Sequence, residues 1–185
     1  MIGVQELRKG VTFELDGDIY RVLEYQHHKP GRGTAVIRTR LRNLRTGATL
    51  DRNFISGDRV EDIRLDSRSL QYLYSDGGLY YFMDTDTYEQ PAIPTAVIAD
   101  AARYIKEGTV IDVSFYQGEA LGIELPITVE LEVARTEPVV KGDTATGATK
   151  AATLETGLVV QVPLFVEQGD VVRVDTRTGQ YLTRV

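Results

Sequence analysis

The chain of 185 residues contains no cysteine. Disulfide bonds, zinc sites built from thiolates and cysteine nucleophiles are therefore excluded. Each domain must be stabilised by its own apolar core, which domains of about 60 residues achieve only marginally. The chain also lacks any apolar run approaching the roughly 20 residues that span a bilayer, and residues 1–7 lack the basic and apolar segments of a secretory signal. We expect a soluble cytoplasmic protein with no membrane partner.

Histidine is nearly absent, since the chain has only His27 and His28. Neighbouring residues on a strand face opposite ways, so this pair cannot jointly bind a metal ion or relay a proton. Residues 142–147 have the glycine spacing of a phosphate-binding loop, but the next residue is Ala148, where that motif requires its lysine. The Gly-x-Ser-x-Gly motif of serine hydrolases does not occur. We expect no enzymatic activity, no cofactor and no metal site.

Positive charge is in deficit overall but is unevenly distributed. The formal net charge is −6, yet residues 1–64 carry 12 Lys and Arg against 9 Asp and Glu, residues 65–126 carry 3 against 10, and residues 127–185 carry 6 against 8. The middle third contains carboxylates that we interpret as a solvated acidic surface: Asp84, Asp86 and Glu89. A basic end on an acidic body can orient a protein towards a polyanion through a local patch.

Short alternating runs and frequent glycine-bearing turns predict a mainly β protein of small barrels. We place domain boundaries so that the domains are 1–64, 65–126 and 127–185. The first is predicted to be an antiparallel barrel of SH3-like size, and the third an OB-type barrel around a long loop. Three such domains in series predict an elongated molecule.

The predicted strands are found in all three domains. They are residues 12–15, 19–27, 35–44, 49–55, 70–74, 79–83, 110–116, 121–125, 129–133, 158–162, 171–174 and 181–185. One helix is predicted over residues 96–106, with Thr95 as its N-cap and Gly108 at its end. Its predicted buried stripe is Val97, Ile98, Ala101, Ala102 and Ile105.

The loop between the second and third predicted strands is short and basic. Pro30 fixes its own φ, and Gly31 and Gly33 permit backbone angles that other residues avoid, so a tight reversal is expected there. Such a hairpin presents Arg32 between two glycines that have no side chains to shield it, beside Lys29. The alternative is an ordinary hairpin tip made polar for solubility.

The strand after this loop alternates strictly. Ile37, Thr39 and Leu41 face one way, and the opposite face carries the arginine row Arg38, Arg40 and Arg42. Such a row can follow a phosphate backbone, or it can pair with neighbouring acids as a structural element. Seven cations and one acid occupy residues 29–52, among them Arg45 and Arg52, which favours RNA as the partner.

Three motifs together resemble bacterial translation elongation factor P, and the resemblance covers the whole chain. The most specific is a spaced signature in the last third: Lys150, Ala152, Gly157, Val160, Val162, Pro163, Val166 and Gly169. The loop Lys29-Pro30-Gly31-Arg32-Gly33 stands where that family carries its functional tip. A further family loop is matched by Gly142, Asp143 and Thr144.

This resemblance implies an SH3-like (KOW-type) domain followed by two OB-fold domains in a bent, tRNA-like outline. It implies a monomer that binds both ribosomal subunits beside the peptidyl-tRNA and relieves stalling at consecutive prolines. Arg32 would reach the CCA end near the peptidyl-transferase centre, Lys29, Pro30, Gly31 and Gly33 would shape its loop, and the third domain would face the small subunit. Because the ribosome's RNA performs the chemistry, the factor would contribute orientation.

One departure from the family concerns the tip. Many members carry Lys within Pro-Gly-Lys-Gly and have it extended by a β-lysyl group, whereas others carry Arg, which some rhamnosylate. Arg32 cannot be a substrate for the lysine modification; whether it is rhamnosylated, otherwise modified by an enzyme or used unmodified stays open. Two other functions remain possible interpretations of the sequence. One is a paralogous factor of the same architecture. The other is a general OB-type protein that binds single-stranded RNA by stacking bases on Tyr72, Tyr74, Tyr80 and Phe82, although these rings can equally be interpreted as core residues.

Overall fold

A computed structural model describes residues 1–139 and 147–185. The strands of these residues form three antiparallel sheets, which confirms a mainly β protein. The chain divides into two compact units, residues 1–67 with 114–122 and residues 68–113 with 123–185. Within the described ranges, no helix is long and apolar enough to cross a bilayer.

The first sheet holds the basic third of the chain. Its strands are β1 (Ile2–Gly3), β2 (Thr12–Leu15), β3 (Asp18–His28), β4 (Val36–Asn43), β5 (Thr49–Ile55) and β6 (Arg59–Asp62), in the order β1-β6-β2-β3-β4-β5. Its core contains fully buried Phe13, Val22, Ile37 and Leu41. The predicted alternation of β4 is confirmed, because Thr39 is also buried while the three arginines are exposed.

A bulge in β3 sets which of its residues face outward. Val22 lies opposite Leu41, but Glu24 lies opposite Arg40, so β3 carries one extra residue, Leu23. An extra residue shifts the two-residue periodicity of a strand. Beyond the bulge, the even-numbered residues of β3 therefore share the exposed face of the arginine row.

The second sheet contains the predicted hairpin, and two short helices lie between its strands β9 and β10. Its strands are β7 (Asp66–Ser75), β8 (Leu79–Asp84), β9 (Ala92–Pro94), β10 (Val110–Tyr116) and β11 (Glu119–Glu124), in the order β11-β10-β7-β8-β9. The prediction of one helix over residues 96–106 is wrong. The α-helix α1 covers only Thr95–Ile98, and a 3-10 helix follows at Ala99–Arg103 because Ala99 has a φ of 45°. Pro94 holds the N-cap position that we had expected of Thr95.

The third sheet packs a valine-rich core. Its strands are β12 (Thr128–Thr136), β13 (Thr149–Leu154), β14 (Val159–Pro163), β15 (Val171–Asp175) and β16 (Gln180–Arg184), in the order β14-β13-β12-β15-β16. Buried residues from four strands meet here, including Leu131, Ala152, Val162 and Val172. Strand β13 has no counterpart among the predicted strands.

One turn recurs in all three sheets and explains three of their buried polar residues. A buried polar residue ends each of the strands β4, β8 and β15, and it pairs with the residue five positions later in the chain. The pairs are Asn43 with Ala48, Asp84 with Glu89 and Asp175 with Gln180. In each turn its side-chain Oδ1 accepts a backbone N–H two residues on, at 2.8–2.9 Å. The fifth residue has positive φ and is Gly47, Tyr88 or Gly179. The interpretation of Asp84 as a solvated surface group is therefore wrong, since it is 4% exposed and organises a turn, whereas Asp86 and Glu89 are exposed.

Candidate nucleic-acid interface

The tip loop is fully exposed and its turn is held by one short hydrogen bond. The N–H of Gly33 donates to the carbonyl oxygen of Pro30 at 2.8 Å, and Gly31 has a φ of 44°. A Cβ on Gly33 would lie 3.2 Å from that same oxygen. Residues 29–34 are all exposed, and Arg32 makes no ion pair with another described residue. The predicted reversal is confirmed, and it leaves the guanidinium of Arg32 unshielded.

The histidine pair precedes this loop at the end of β3. His27 lies opposite Ile37 and His28 opposite Val36, and both imidazoles are exposed. Adjacent strand residues project to opposite faces, so the two rings do not meet. In the described part of the chain, no group of three or more metal-ligating side chains is present.

The middle arginine of the row is held by carboxylates. Arg40 Nε donates to Asp51 Oδ1 at 3.1 Å across the β4–β5 pair, and Arg40 Nη1 lies 3.9 Å from Glu24 Oε1. The hydrogen bond and charge of Asp51, with the charge of Glu24, raise the pKa of Arg40 above its ordinary value. Arg40 therefore matches the structural interpretation of the row.

The outer two arginines are different. Arg38 lies opposite Gln26 and Asn53, and Arg42 lies opposite Arg21 and Thr49. Both guanidiniums are exposed, and neither has an ion-pair or hydrogen-bond partner among the described residues. These two positions match the phosphate-binding interpretation, so the row divides into one structural arginine and two free ones.

Two other cations of this third also have structural partners. Arg45 Nε lies 3.1 Å from Glu119 Oε1, and its Nη1 donates to the carbonyl of Gly17. The hydrogen bond that Arg45 donates to Glu119 is the main reason that the pKa of Arg45 is raised. Arg52 Nη1 lies 3.7 Å from Asp16 Oδ2. Of the seven cations of residues 29–52, those without a partner among the described residues are accordingly four, two at the tip (Lys29 and Arg32) and two on β4 (Arg38 and Arg42).

Comparisons with known proteins match all three parts of the chain. Family models match at residues 3–60 (the elongation factor P KOW-like domain), 65–123 (the elongation factor P OB domain) and 129–184 (elongation factor P, C-terminal). Elongation factor P of Moorella thermoacetica is 54% identical over 184 residues, and that of Thermoanaerobacter sp. strain X514 is 52% identical over 185 residues, each with 100% of both chains covered. The chain belongs to the elongation factor P family. It is a translation elongation factor, and association with the ribosome follows from that role.

A solved structure shows the same fold at lower similarity. The eukaryotic translation initiation factor 5A from Methanococcus jannaschii has a TM-score of 0.54 and 23% identity over 68% of this chain and 90% of its own. The fold class, three β domains beginning with a KOW-like one, is confirmed. The domain boundaries and the bent outline stay predictions.

The signature of the elongation factor P family in the last third is structural. Ala152 and Val162 are fully buried on β13 and β14, where Ala152 lies opposite Val160 and Lys150 opposite Val162. Gly157 and Gly169 both have positive φ in turns. Pro163 ends β14, and its carbonyl accepts the N–H of Val166. The signature between Lys150 and Gly169 therefore contributes to the core and the turns of the third sheet. The residues of the other family loop, Gly142, Asp143 and Thr144, lie outside the described residues.

The tyrosines of the second sheet act mainly in packing. Phe82 is fully buried, and Tyr72 packs against both Tyr80 and Phe82 with ring centroids 5.5–5.6 Å apart. Burial raises the pKa of Tyr72. Tyr74 stacks on Tyr81 at 4.6 Å and is 56% exposed, so it is the most exposed of these four rings. The arrangement supports the core interpretation of these rings over a stacking platform for RNA.

Proposed function

We propose that this member of the elongation factor P family binds the ribosome beside the peptidyl-tRNA and relieves stalling at consecutive prolines. The observation that carries the proposal is the tip: an exposed cation without a described partner, at the end of a hairpin whose strand β3 is 11 residues long. A strand of that length spans about 36 Å. Arg32 is then the residue that touches the CCA end of the peptidyl-tRNA.

The factor acts by orientation and supplies no catalytic group of its own. Proline is a constrained imino acid that aligns poorly for attack, so the slow step is geometric. Holding a reactant in its reactive geometry can lower the activation free energy by several kcal/mol, on the order of 7–11 kcal/mol in favourable cases. A long guanidinium suits this role, since it is always charged and presents five donors to RNA oxygens.

The remaining contacts follow from the same placement. The free arginines of β4 contact the RNA backbone, the third domain faces the small subunit, and the factor works in the cytoplasm as a monomer. Arg32 is also the position at which a modifying enzyme would act. The intact mass of the native protein, followed by peptide mapping across residues 29–33, shows whether it carries rhamnose, another group or none.

The first test measures pausing in cells. Ribosome profiling of a strain that lacks this protein should show increased occupancy at polyproline codons, which the wild-type gene restores. A profile without that change would remove the proline-stalling role. It would favour the rival, a paralogous factor of the same architecture with a different ribosomal task.

The second test assigns the tip. In reconstituted translation of a Pro-Pro-Pro template, Arg32→Ala should abolish rescue without lowering the unfolding temperature, because the exposed guanidinium of Arg32 makes no hydrogen bond or ion pair with another described residue. Lys9→Ala is the matched control, since Lys9 is an exposed cation in the turn before β2, outside β3, β4 and β5. Full activity of Arg32→Ala would show that the tip is not the acting residue.

A further inference from the structure

The linker between the second and third sheets is short and is held at the third sheet. Residues 125–127 connect β11 to β12, and they lie in the compact unit formed by residues 68–113 with 123–185. The hydroxyl of Thr176, in the turn between β15 and β16, donates to the carbonyl oxygens of Pro126 and Ile127. The backbone N–H of Thr176 also donates to Ile127, at 3.0 Å. The end of the linker is therefore fixed to the third sheet.

A second connection is made by Tyr104, which directly follows the 3-10 helix between β9 and β10. Its half-buried ring packs against the core of the third sheet. The ring reaches the turn between β15 and β16, where a Cβ on Gly179 would lie 3.0 Å from Tyr104 Oη. The backbone of Tyr104 stays with its own helix, since its N–H donates to the carbonyl oxygen of Ala101 at 3.0 Å, and the next residue, Ile105, is buried. One aromatic side chain thus joins the two sheets, and aromatic rings bury much apolar area per residue.

Two polar contacts join the same segment, residues 103–106, to the turn between β13 and β14. Thr156 Oγ1 donates to the carbonyl oxygen of Arg103. Lys106 Nζ lies 3.5 Å from Glu155 Oε1, and that oxygen also accepts the backbone N–H of Glu132 at 3.0 Å. The two charged side chains are 46% and 36% exposed, and exposed ion pairs contribute little to stability. The Tyr104 ring and the Thr156 hydrogen bond are therefore the principal contacts.

The two attachments together restrict how the two sheets can move. Neighbouring domains of one chain move relative to each other by default, unless the interface between them is large and apolar. A third sheet held at the linker alone could turn about residues 126–127. With both attachments in place, such a turn would pull the ring of Tyr104 out of the third-sheet core and break the hydrogen bond of Thr156. Pro126 also fixes its own φ, which removes one of the dihedral angles that a hinge would use.

We propose that Tyr104 and Thr156 lock the second and third sheets into one rigid body and are thereby positioning residues for the third domain on the ribosome. A rigid body presents the third domain in its binding orientation before the encounter, so binding does not have to order it. The lock itself is a property of the free chain. Its use on the ribosome rests on the proposed function and adds to it the residues that set the orientation of the third domain.

The first measurement tests the lock in the free, full-length protein. Because the chain has no cysteine, spin labels can be attached at Asp86→Cys and Gln168→Cys, two exposed positions beside the second and third sheets. Double electron–electron resonance should give one narrow distance distribution for the otherwise wild-type protein. The double variant Tyr104→Ala with Thr156→Val should give a distribution about twice as wide or wider.

Two further variants separate the lock from general loss of packing. Tyr181→Ala is the matched control, because Tyr181 is a half-buried ring that packs against the same core from the third sheet itself. It should lower the unfolding temperature and leave the distribution narrow. Tyr104→Phe keeps the ring and should resemble the wild type. An unchanged width in the double variant, or equal broadening in Tyr181→Ala, would overturn the lock.

The second measurement tests the positioning role in reconstituted translation of a Pro-Pro-Pro template. The concentration of the double variant needed for half-maximal rescue should rise about tenfold at an unchanged maximal rate, because binding must now order the third domain. Tyr104→Phe should need the wild-type concentration. Broadened distances with wild-type rescue would overturn the positioning role. If the wild-type protein gives no rescue, the proposed function fails, while the distance measurement still decides whether the lock exists.

Discussion

Substitution of Gly31 tests whether the shape of the tip is needed, separately from its charge. The φ of Gly31 is 44°, and a Cβ there would have nothing within 4 Å. Gly31→Ala therefore adds backbone strain and no clash, at about 1–2 kcal/mol for an L-residue in the left-handed region. Because the loop lies between the ends of β3 and β4, the chain can relieve that strain by rearranging the turn without unfolding the sheet.

The expected magnitude follows from this strain. A penalty of about 1–2 kcal/mol lowers the equilibrium ratio of the native turn to rearranged turns roughly 5- to 30-fold. When only the native turn is competent to act, the apparent affinity falls in proportion to its remaining population, by at most this factor. In reconstituted translation of a Pro-Pro-Pro template, the concentration of Gly31→Ala needed for half-maximal rescue should rise by up to about 30-fold. The maximal rate should stay unchanged.

A matched control lies at the opposite end of the same strand. Gly17 has a φ of 82°, also has nothing within 4 Å of a built Cβ, and forms the turn between β2 and β3 with Asp16. Gly17→Ala should lower the free energy of unfolding by about 1–2 kcal/mol and leave half-maximal rescue unchanged. Half-maximal rescue by Gly31→Ala at the wild-type concentration would refute the requirement for this turn geometry.

Three further predictions concern the recurring turn. Tyr88→Gly should raise the free energy of unfolding by about 0.5–1 kcal/mol in urea titrations, since it relieves left-handed strain at an exposed side chain and gives back part of that gain as chain entropy. Gly179→Ala should destabilise more than Gly47→Ala, because its Cβ would lie 3.0 Å from Tyr104 Oη while that of Gly47 meets nothing; equal losses would contradict this. The side-chain hydrogen bond from Arg177 and its backbone N–H lower the pKa of Asp175, so this stabilisation is complete above the ordinary carboxyl pKa of about 4 and is lost as pH falls through the lower folded value. Asp175→Asn should therefore flatten the decline in stability between pH 4 and pH 2, and an unchanged decline would contradict the assignment.

The hairpins were predictable because their information is local. In β4 the alternation separates buried Ile37 and Leu41 from exposed arginines over adjacent positions. Strand β13 escaped prediction because alanine and threonine give Thr149–Leu154 little hydrophobic contrast, although Ala152 is fully buried. The helix prediction rested on a real stripe, since Ile98 and Ile105 are buried, but it missed the left-handed φ of Ala99, which interrupts the α-helix.

The candidate site was predictable in part. Arg32 and its loop follow from glycine and proline chemistry, which acts within a few residues. The division of the arginine row into one paired and two free side chains could not be predicted in this way, because it depends on which residues of β3 and β5 lie opposite each arginine. Arg40 is paired only because register brings Asp51 and Glu24 beside it, and a bulge of one residue at Leu23 decides the latter. The sequence shows no signal for that bulge, so Gln26 could not be assigned to the outer face.

The turn that recurs at Asn43, Asp84 and Asp175 also bears on how the chain folds. Each copy closes its hydrogen bonds within five residues, so its formation costs little loop-closure entropy and needs no contact with the rest of the sheet. Hairpin formation occurs in about 1–10 μs, well before synthesis at roughly 5–20 residues per second adds the next domain. Each sheet therefore begins from its own local nucleus, and we expect the β4–β5 hairpin of the first sheet to be folded while the rest of the chain is still being made.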